Sequence, residues 1–105
     1  MVKKKDLKEE LGYFKFRLSK RVPIERMILF GGYASGKPHK YSDVDLIIVS
    51  SKFSDMEFRH RQIGFYKYWN LDMPFDFLCY TPEEFNKLKK QITIVREAVR
   101  EGIEI

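Results

Sequence analysis

A glycine pair and an Asp-x-Asp pair, ten residues apart and bounded by two apolar runs, constrain this chain more than any other feature. Met27-Ile28-Leu29-Phe30 reads as a short buried strand that Gly31 and Gly32 terminate, and Val44-Asp45-Leu46-Ile47-Ile48-Val49 reads as a second, β-branched strand. Side chains alternate across a strand, so Asp43 and Asp45 project from one face with Val44 turned the other way, a geometry suited to a divalent cation. Lacking a Cβ, Gly31 and Gly32 let the backbone approach a ligand and turn its N–H groups towards an anion. A phosphate cradle thus faces an acidic pair. A third carboxylate, Asp76, interrupts the otherwise apolar strand-like run Met73-Pro74-Phe75-Asp76-Phe77-Leu78-Cys79-Tyr80. Singly, each residue has an ordinary reading as a turn-former or cap. Together, unpaired carboxylates on two apolar strands are too costly to be explained by packing alone.

This pattern resembles the minimal nucleotidyltransferases of the DNA polymerase β superfamily. Their signature is Gly-Gly or Gly-Ser, a spacer of similar length, Asp-x-Asp or Asp-x-Glu, and a third carboxylate on a later strand. Arg100-Glu101-Gly102-Ile103-Glu104-Ile105 resembles the helix end, glycine and last short strand of that family, so the resemblance runs from Arg26 to the C-terminus. It implies an α/β fold, a small mixed β-sheet flanked by helices, like the polymerase β palm. It also implies transfer of a nucleoside monophosphate, AMP foremost, from an NTP to a hydroxyl acceptor. In that reading Asp43, Asp45 and Asp76 are the catalytic, metal-binding residues: Asp43 and Asp45 bridge two Mg²⁺ or Mn²⁺ ions, and Asp76 completes the ion nearer the acceptor. Gly31 and Gly32 hold the β- and γ-phosphates. Many members carry Ser at the position of Gly32 and Arg at that of Ser35; in this chain Lys37 or Lys40 supplies the positive charge, and Ser35 belongs to the phosphate loop. Such proteins often occur beside a small helical HEPN-type protein in toxin–antitoxin pairs, some transferring AMP to a tyrosine of the toxin. The resemblance therefore implies a HEPN-type partner. Two alternatives stay open: a non-catalytic nucleotide-binding antitoxin subunit, and a nucleic-acid-binding module.

The chain's 105 residues are expected to form one domain, spanning 1–105, with a single modest core. A palm this small leaves little protein to grip base and acceptor, hence the expectation of a partner protein or a homo-oligomer. With 44% hydrophobic and 33% charged residues, the chain is globular rather than disordered. No apolar run approaches the ~20 residues that span a bilayer, so no membrane association is expected. The basic N-terminus lacks a following apolar stretch, so no secretory signal is read there. The single Cys79 excludes an internal disulfide, no Cys/His spacing points to zinc, and the cytoplasm is the expected location. Cys79 alternates away from Asp76 and reads as a small core residue. The net charge of +5 favours anionic partners: nucleotide, RNA, DNA or an acidic protein.

The remaining elements follow from periodicity and punctuation. Leu7, Leu11, Phe14 and Leu18 define one face of a helix over about 6–20, closed off before Pro23. Residues 33–36 are expected to form a short helix whose N-terminus faces phosphate. Lys37, His39 and Lys40 form a basic patch, and Ser42 orders the turn before Asp43. Residues 50–54 read as a loop, with Ser54 capping a helix to about Trp69 and Glu57 completing a capping box. Phe58, Phe65, Tyr66 and Trp69 would share a broad face of that helix, read as core or interface before base-stacking surface. Asp72 lies in the turn before the third strand and is not counted as a ligand. Thr81, Pro82 and Glu84 mark a helix start that carries Phe85 and Leu88 inward. A last helix from about Ile92 uses Ile94, Val95, Ala98 and Val99 and stops at Gly102.

Overall fold

The computed structural model describes residues 4–38 and 43–105. Its elements, in order, are α1 (Lys4–Ser19), β1 (Arg26–Phe30), α2 (Gly32–Ser35), β2 (Val44–Val49), β3 (Phe75–Tyr80), α3 (Pro82–Leu88), α4 (Ile94–Glu101) and β4 (Ile103–Glu104). The strands form one mixed sheet in the order β3-β2-β1-β4, with β2 and β3 parallel and β1 antiparallel to both of its neighbours. This is the expected α/β architecture. The C-terminal end of β1 consequently lies beside the N-terminal ends of β2 and β3, and all the strand-borne site residues meet at that one edge of the sheet.

Both faces of the sheet are covered, so its central strands read as continuous apolar runs rather than alternating ones. On one face Met27, Leu29, Val44, Leu46, Ile48, Phe77 and Cys79 pack with Leu7, Leu11, Phe14 and Leu18 of α1, and those four helix residues are fully buried. Each such side chain contributes about 1.5–3 kcal/mol relative to exposure. On the other face Ile28, Phe30, Ile47 and Val49 pack with Phe85 of α3 and with Val95 and Ala98 of α4. By alternation, Asp45 and Asp76 belong to this second face. The helix start at Thr81 forms as expected: its Oγ1 accepts from Glu84 N–H at 3.2 Å, and its own N–H donates to Glu84 Oε1 at 2.9 Å. At the far edge β4 is tied down by Ile105 N–H donating to Met27 O at 2.8 Å and by the Arg26–Glu104 ion pair at 2.6 Å.

The stretch between β2 and β3 departs from the expected single helix. Ser51–Asp55, Phe58–His60 and Phe65–Tyr68 are separate 3₁₀ turns, and the cap is Ser50, whose side chain accepts from Lys52 N–H at 3.1 Å, rather than Ser54. The reason lies in what must be buried. Phe53 and Phe65 are both sequestered with their ring centroids 6.2 Å apart, whereas twelve residues of straight helix would separate them by about 18 Å. Gly64, at φ 87°, supplies the left-handed step that turns the chain. Arg61, only 6% exposed, fixes the inner side: its Nε donates to Met56 O, its Nη1 to Cys79 O, and its guanidinium grips the Glu84 carboxylate. The aromatic residues therefore do not share one face. Phe65 is buried and Trp69 packs edge-on against Phe14 at 5.0 Å, while Phe58 and Tyr66 remain exposed. The last helix also differs, starting at Ile94 under a Thr93 cap; only Val95 and Ala98 reach the core, and Ile94 and Val99 are exposed. No helix among the described residues is long and apolar enough to cross a membrane.

Candidate active site

Where β1 ends, Gly31 adopts φ 77° and ψ −155°, a combination essentially reserved to glycine. A Cβ on Gly31 would overlap Asp45 Oδ2 and stand 3.3 Å from Asp45 Cγ, so the glycine backbone lies directly against the carboxylate of the next strand. The chain then winds into α2, the short helix expected here. Ala34 and Ser35 N–H both return to Gly31 O at 3.1 Å, leaving the N–H groups of Gly32 and Tyr33 without an intrahelical acceptor. Ser35 Oγ donates to Gly32 O at 3.0 Å and Lys37 N–H donates to the same carbonyl at 3.0 Å, which tightens the turn. Lys37 is exposed beside it. Lys40, like His39 and Ser42, lies outside the described residues.

Asp45 and Asp76 are direct partners in the parallel register of β2 and β3, and adjacent strands run about 4.8 Å apart. Asp43 precedes β2 on the same side by alternation and is exposed, as is Asp76; Asp45 is half-buried. Burial raises the Asp45 carboxyl above its ordinary range, and the like charges of Asp76 and Asp43 raise it further. Among the described residues no Lys or Arg forms an ion pair with any of the three. Among the described residues the site thus holds unpaired carboxylates, hard oxygen donors that suit Mg²⁺ or Mn²⁺ better than zinc. The carboxylates stand near enough to repel but not closed into a cage: among the described residues, no three acidic, His or Cys side chains are already gathered at ligand spacing. Cys79, read from the sequence as core, is buried on the opposite face, its thiol pushed up to about 12 chiefly by burial. Asp72 lies in the bend before β3, away from the strand-borne pair.

A cavity of about 460 Å³ opens beside Asp45, lined by Phe30, Gly31, Ala34 and Ser35 on one side and by Ile94, Glu97, Ala98, Glu101 and Gly102 on the other. The α4 wall was not anticipated as part of the site. Its residues recur at three, four and seven positions from Ile94, so their common helix face was legible, but periodicity carries no information about which hollow that face borders.

A family model described as a nucleotidyltransferase domain matches residues 11–100, a span that includes Gly31, Gly32, Ser35, Lys37, Asp43, Asp45 and Asp76. A Haemophilus influenzae protein named "Probable protein adenylyltransferase MntA" is 31% identical over 98 residues, covering 91% of this chain and 86% of the relative. A crystal structure of a candidate nucleotidyltransferase from Sulfolobus solfataricus superposes with a TM-score of 0.54 at 17% identity, covering 83% of this chain and 82% of that one. That likeness establishes the shared fold.

Proposed function

This chain belongs to the nucleotidyltransferase domain family, and from that premise we propose that it moves the AMP moiety of ATP to a hydroxyl group of a partner protein, using a divalent cation held by Asp43, Asp45 and Asp76. The observation that carries the reading is Asp45, in register with Asp76 and lying directly against the left-handed backbone of Gly31. Adenylyl transfer and a protein acceptor are supported by the likeness to the H. influenzae probable protein adenylyltransferase. The resemblance to minimal nucleotidyltransferases favours a small helical HEPN-type protein as the acceptor, in a toxin–antitoxin pair.

The residues divide the work by position. Gly31 brings the backbone close, and the N–H groups of Gly32 and Tyr33 offer donors to the terminal phosphates, with Lys37 adding positive charge at the same turn. Ser35 holds the turn in shape through Gly32 O. Asp45, between the other two carboxylates, lies where charge builds up during the displacement. Asp76, exposed and in register with Asp45, would complete the cation site on the acceptor side. The acceptor hydroxyl oxygen attacks the α-phosphorus as its proton passes to the Asp76 carboxylate, a new P–O bond forms, and the bond to pyrophosphate breaks. When bound, the Mg²⁺ or Mn²⁺ ions supply neutralisation of the carboxylates and stabilisation of the developing phosphoryl charge.

The test is incubation of the protein with each α-labelled nucleoside triphosphate, Mg²⁺ or Mn²⁺, and a lysate of its source cell. ATP should place label on one discrete protein band, sensitive to protease and resistant to nuclease. Label confined to nucleic acid, or equal labelling from all four nucleotides, contradicts the proposal.

A further inference from the structure

The cavity at Asp45 adjoins a second, shallower groove across a shared wall. Ile94 and Glu97 line both, and the groove is completed by Ile92, Thr93, Arg96 and Arg100, with a volume of about 460 Å³. Helical geometry explains the shared wall. Val95 and Ala98 point into the sheet, Ile94 and Glu97 flank the Asp45 side, and Arg96 and Arg100, one turn apart, face outward. One track therefore runs from the carboxylates across the first turns of α4. It is electrically graded: Asp45, Glu97 and Glu101 mark its inner end, and Arg96 and Arg100 its outer end. Among the described residues neither arginine has an ion-pair partner. Ile92 is 94% exposed and Ile94 54%, apolar surface that the fold does not use, since Val95 and Ala98 alone anchor α4.

We infer that this track docks the acceptor as an extended segment of a partner protein in which acidic and apolar residues flank the hydroxyl-bearing one. Acidic side chains pair with Arg96 and Arg100, apolar ones cover Ile92 and Ile94, and the neutral hydroxyl residue reaches inward to Asp45 and Asp76. Guanidinium groups suit carboxylates through paired, charge-assisted hydrogen bonds. The inference rests on the protein-directed transfer proposed above and adds the sequence class of the acceptor. A triphosphate is the poorer occupant of the outer groove, because the phosphate-binding turn proposed at Gly31 and Ser35 lies at the inner end, away from Arg96 and Arg100. Single-stranded nucleic acid is poorer too: among the described residues no aromatic ring lines the outer groove, and such binding draws on base stacking. The exposed rings of Tyr13 and Phe16 lie on α1, across the sheet.

The probe is the random copolymer poly(Glu,Tyr), labelled and titrated with the full chain without nucleotide, beside poly-Glu and oligo(U) of similar length. The copolymer should bind best. Arg96→Glu/Arg100→Glu should weaken it by about tenfold or more, given two charge-assisted contacts, and Ile92→Ser/Ile94→Ser should bring it down to the poly-Glu value. Both variants alter surface side chains and should keep the wild-type melting temperature, and Arg96→Glu/Arg100→Glu, outside the Asp45 cavity, should also keep ATP affinity. Absence of copolymer binding, equal binding of poly-Glu or oligo(U), or unchanged affinity in both variants overturns the docking track. The two readings fail separately. Copolymer binding lost in the variants, with no AMP transferred to any protein, keeps the track and removes the protein-directed activity; transfer to a partner at wild-type kcat/KM by both variants keeps the activity and removes the track.

Discussion

Replacing Gly31 by alanine tests the link between backbone strain and the candidate active site. At φ 77° and ψ −155° the residue occupies a region that costs a side-chain-bearing residue about 1–3 kcal/mol. The new methyl also overlaps Asp45 Oδ2 and lies 3.3 Å from its Cγ, so the carboxylate must leave its rotamer at about 0.5–1.5 kcal/mol. Loss of glycine's freedom in the unfolded chain returns about 0.4–1 kcal/mol. The net destabilisation is about 2 kcal/mol, which for a domain of this size lowers Tm by about 10 °C. Differential scanning fluorimetry measures it, with Gly12→Ala as the matched control. Gly12 sits within α1 with nothing within 4 Å of an added Cβ, and alanine there should stabilise by about 0.5–1 kcal/mol. In a double-mutant cycle with Asp45→Ala, only the side-chain share of the Gly31→Ala cost should be recovered, and the backbone share should persist. A Gly31→Ala protein that melts with the wild type and keeps full activity refutes the reasoning, because both contributions would then be absent.

Further outcomes follow from the same geometry. The Asp45 carboxyl is raised in the fold, so its ionised form opposes folding: stability is fullest below the unfolded value of 3.8 and falls as pH rises through the folded one. Asp45→Asn should therefore raise the Tm of the metal-free protein at neutral pH and lose that advantage in acid. Free Mg²⁺ or Mn²⁺ at about a hundred times its Kd should stabilise the wild type by about 2.7 kcal/mol, and Asp45→Asn should abolish most of that shift in a thermal titration. Glu84 behaves oppositely, because the Arg61 guanidinium holds its carboxyl below the usual 4.5: its contribution is present above 4.5 and is lost as pH falls through the folded value. The wild type should lose stability more steeply than Glu84→Gln in acid denaturation below that pH. Cys79, buried and pushed up to about 12, should resist a thiol reagent at pH 8 at a rate set by unfolding, and rapid native labelling contradicts its placement.

The parts of the fold that were legible in the sequence share one cause. β1 and β2 announce themselves because strands buried on both faces must be continuously apolar, and edge strand β3 because its buried Phe77 and Cys79 alternate with half-buried apolar residues, which makes Asp45 and Asp76 conspicuous. α1 is readable from Leu7, Leu11, Phe14 and Leu18 because a helix on one side of a sheet buries one stripe. Residues 50–69 misled because their apolar side chains are spaced like a helix face while two of them, Phe53 and Phe65, must meet; only the Gly64 turn and the buried Arg61 reconcile these, and neither is visible to periodicity. In α4, Ile94 and Val99 looked like core for the same reason and are exposed. A motif groups Asp43, Asp45, Asp76, Gly31, Gly32 and Ser35 as a candidate site, and the fold brings Gly31 against Asp45 and Asp45 into register with Asp76, whereas Glu97 and Glu101 join the cavity only through tertiary packing.

The most direct test of nucleotidyl transfer at these carboxylates is to compare α-labelled with γ-labelled ATP, in the presence of Mg²⁺ and a lysate of the source cell, for the wild type and Asp45→Asn. The account predicts that the acceptor takes the α-label and not the γ-label, which departs with pyrophosphate, and that Asp45→Asn reduces the rate by about 10²–10³ while remaining folded. Incorporation of the γ-label, or wild-type transfer by Asp45→Asn, would contradict it.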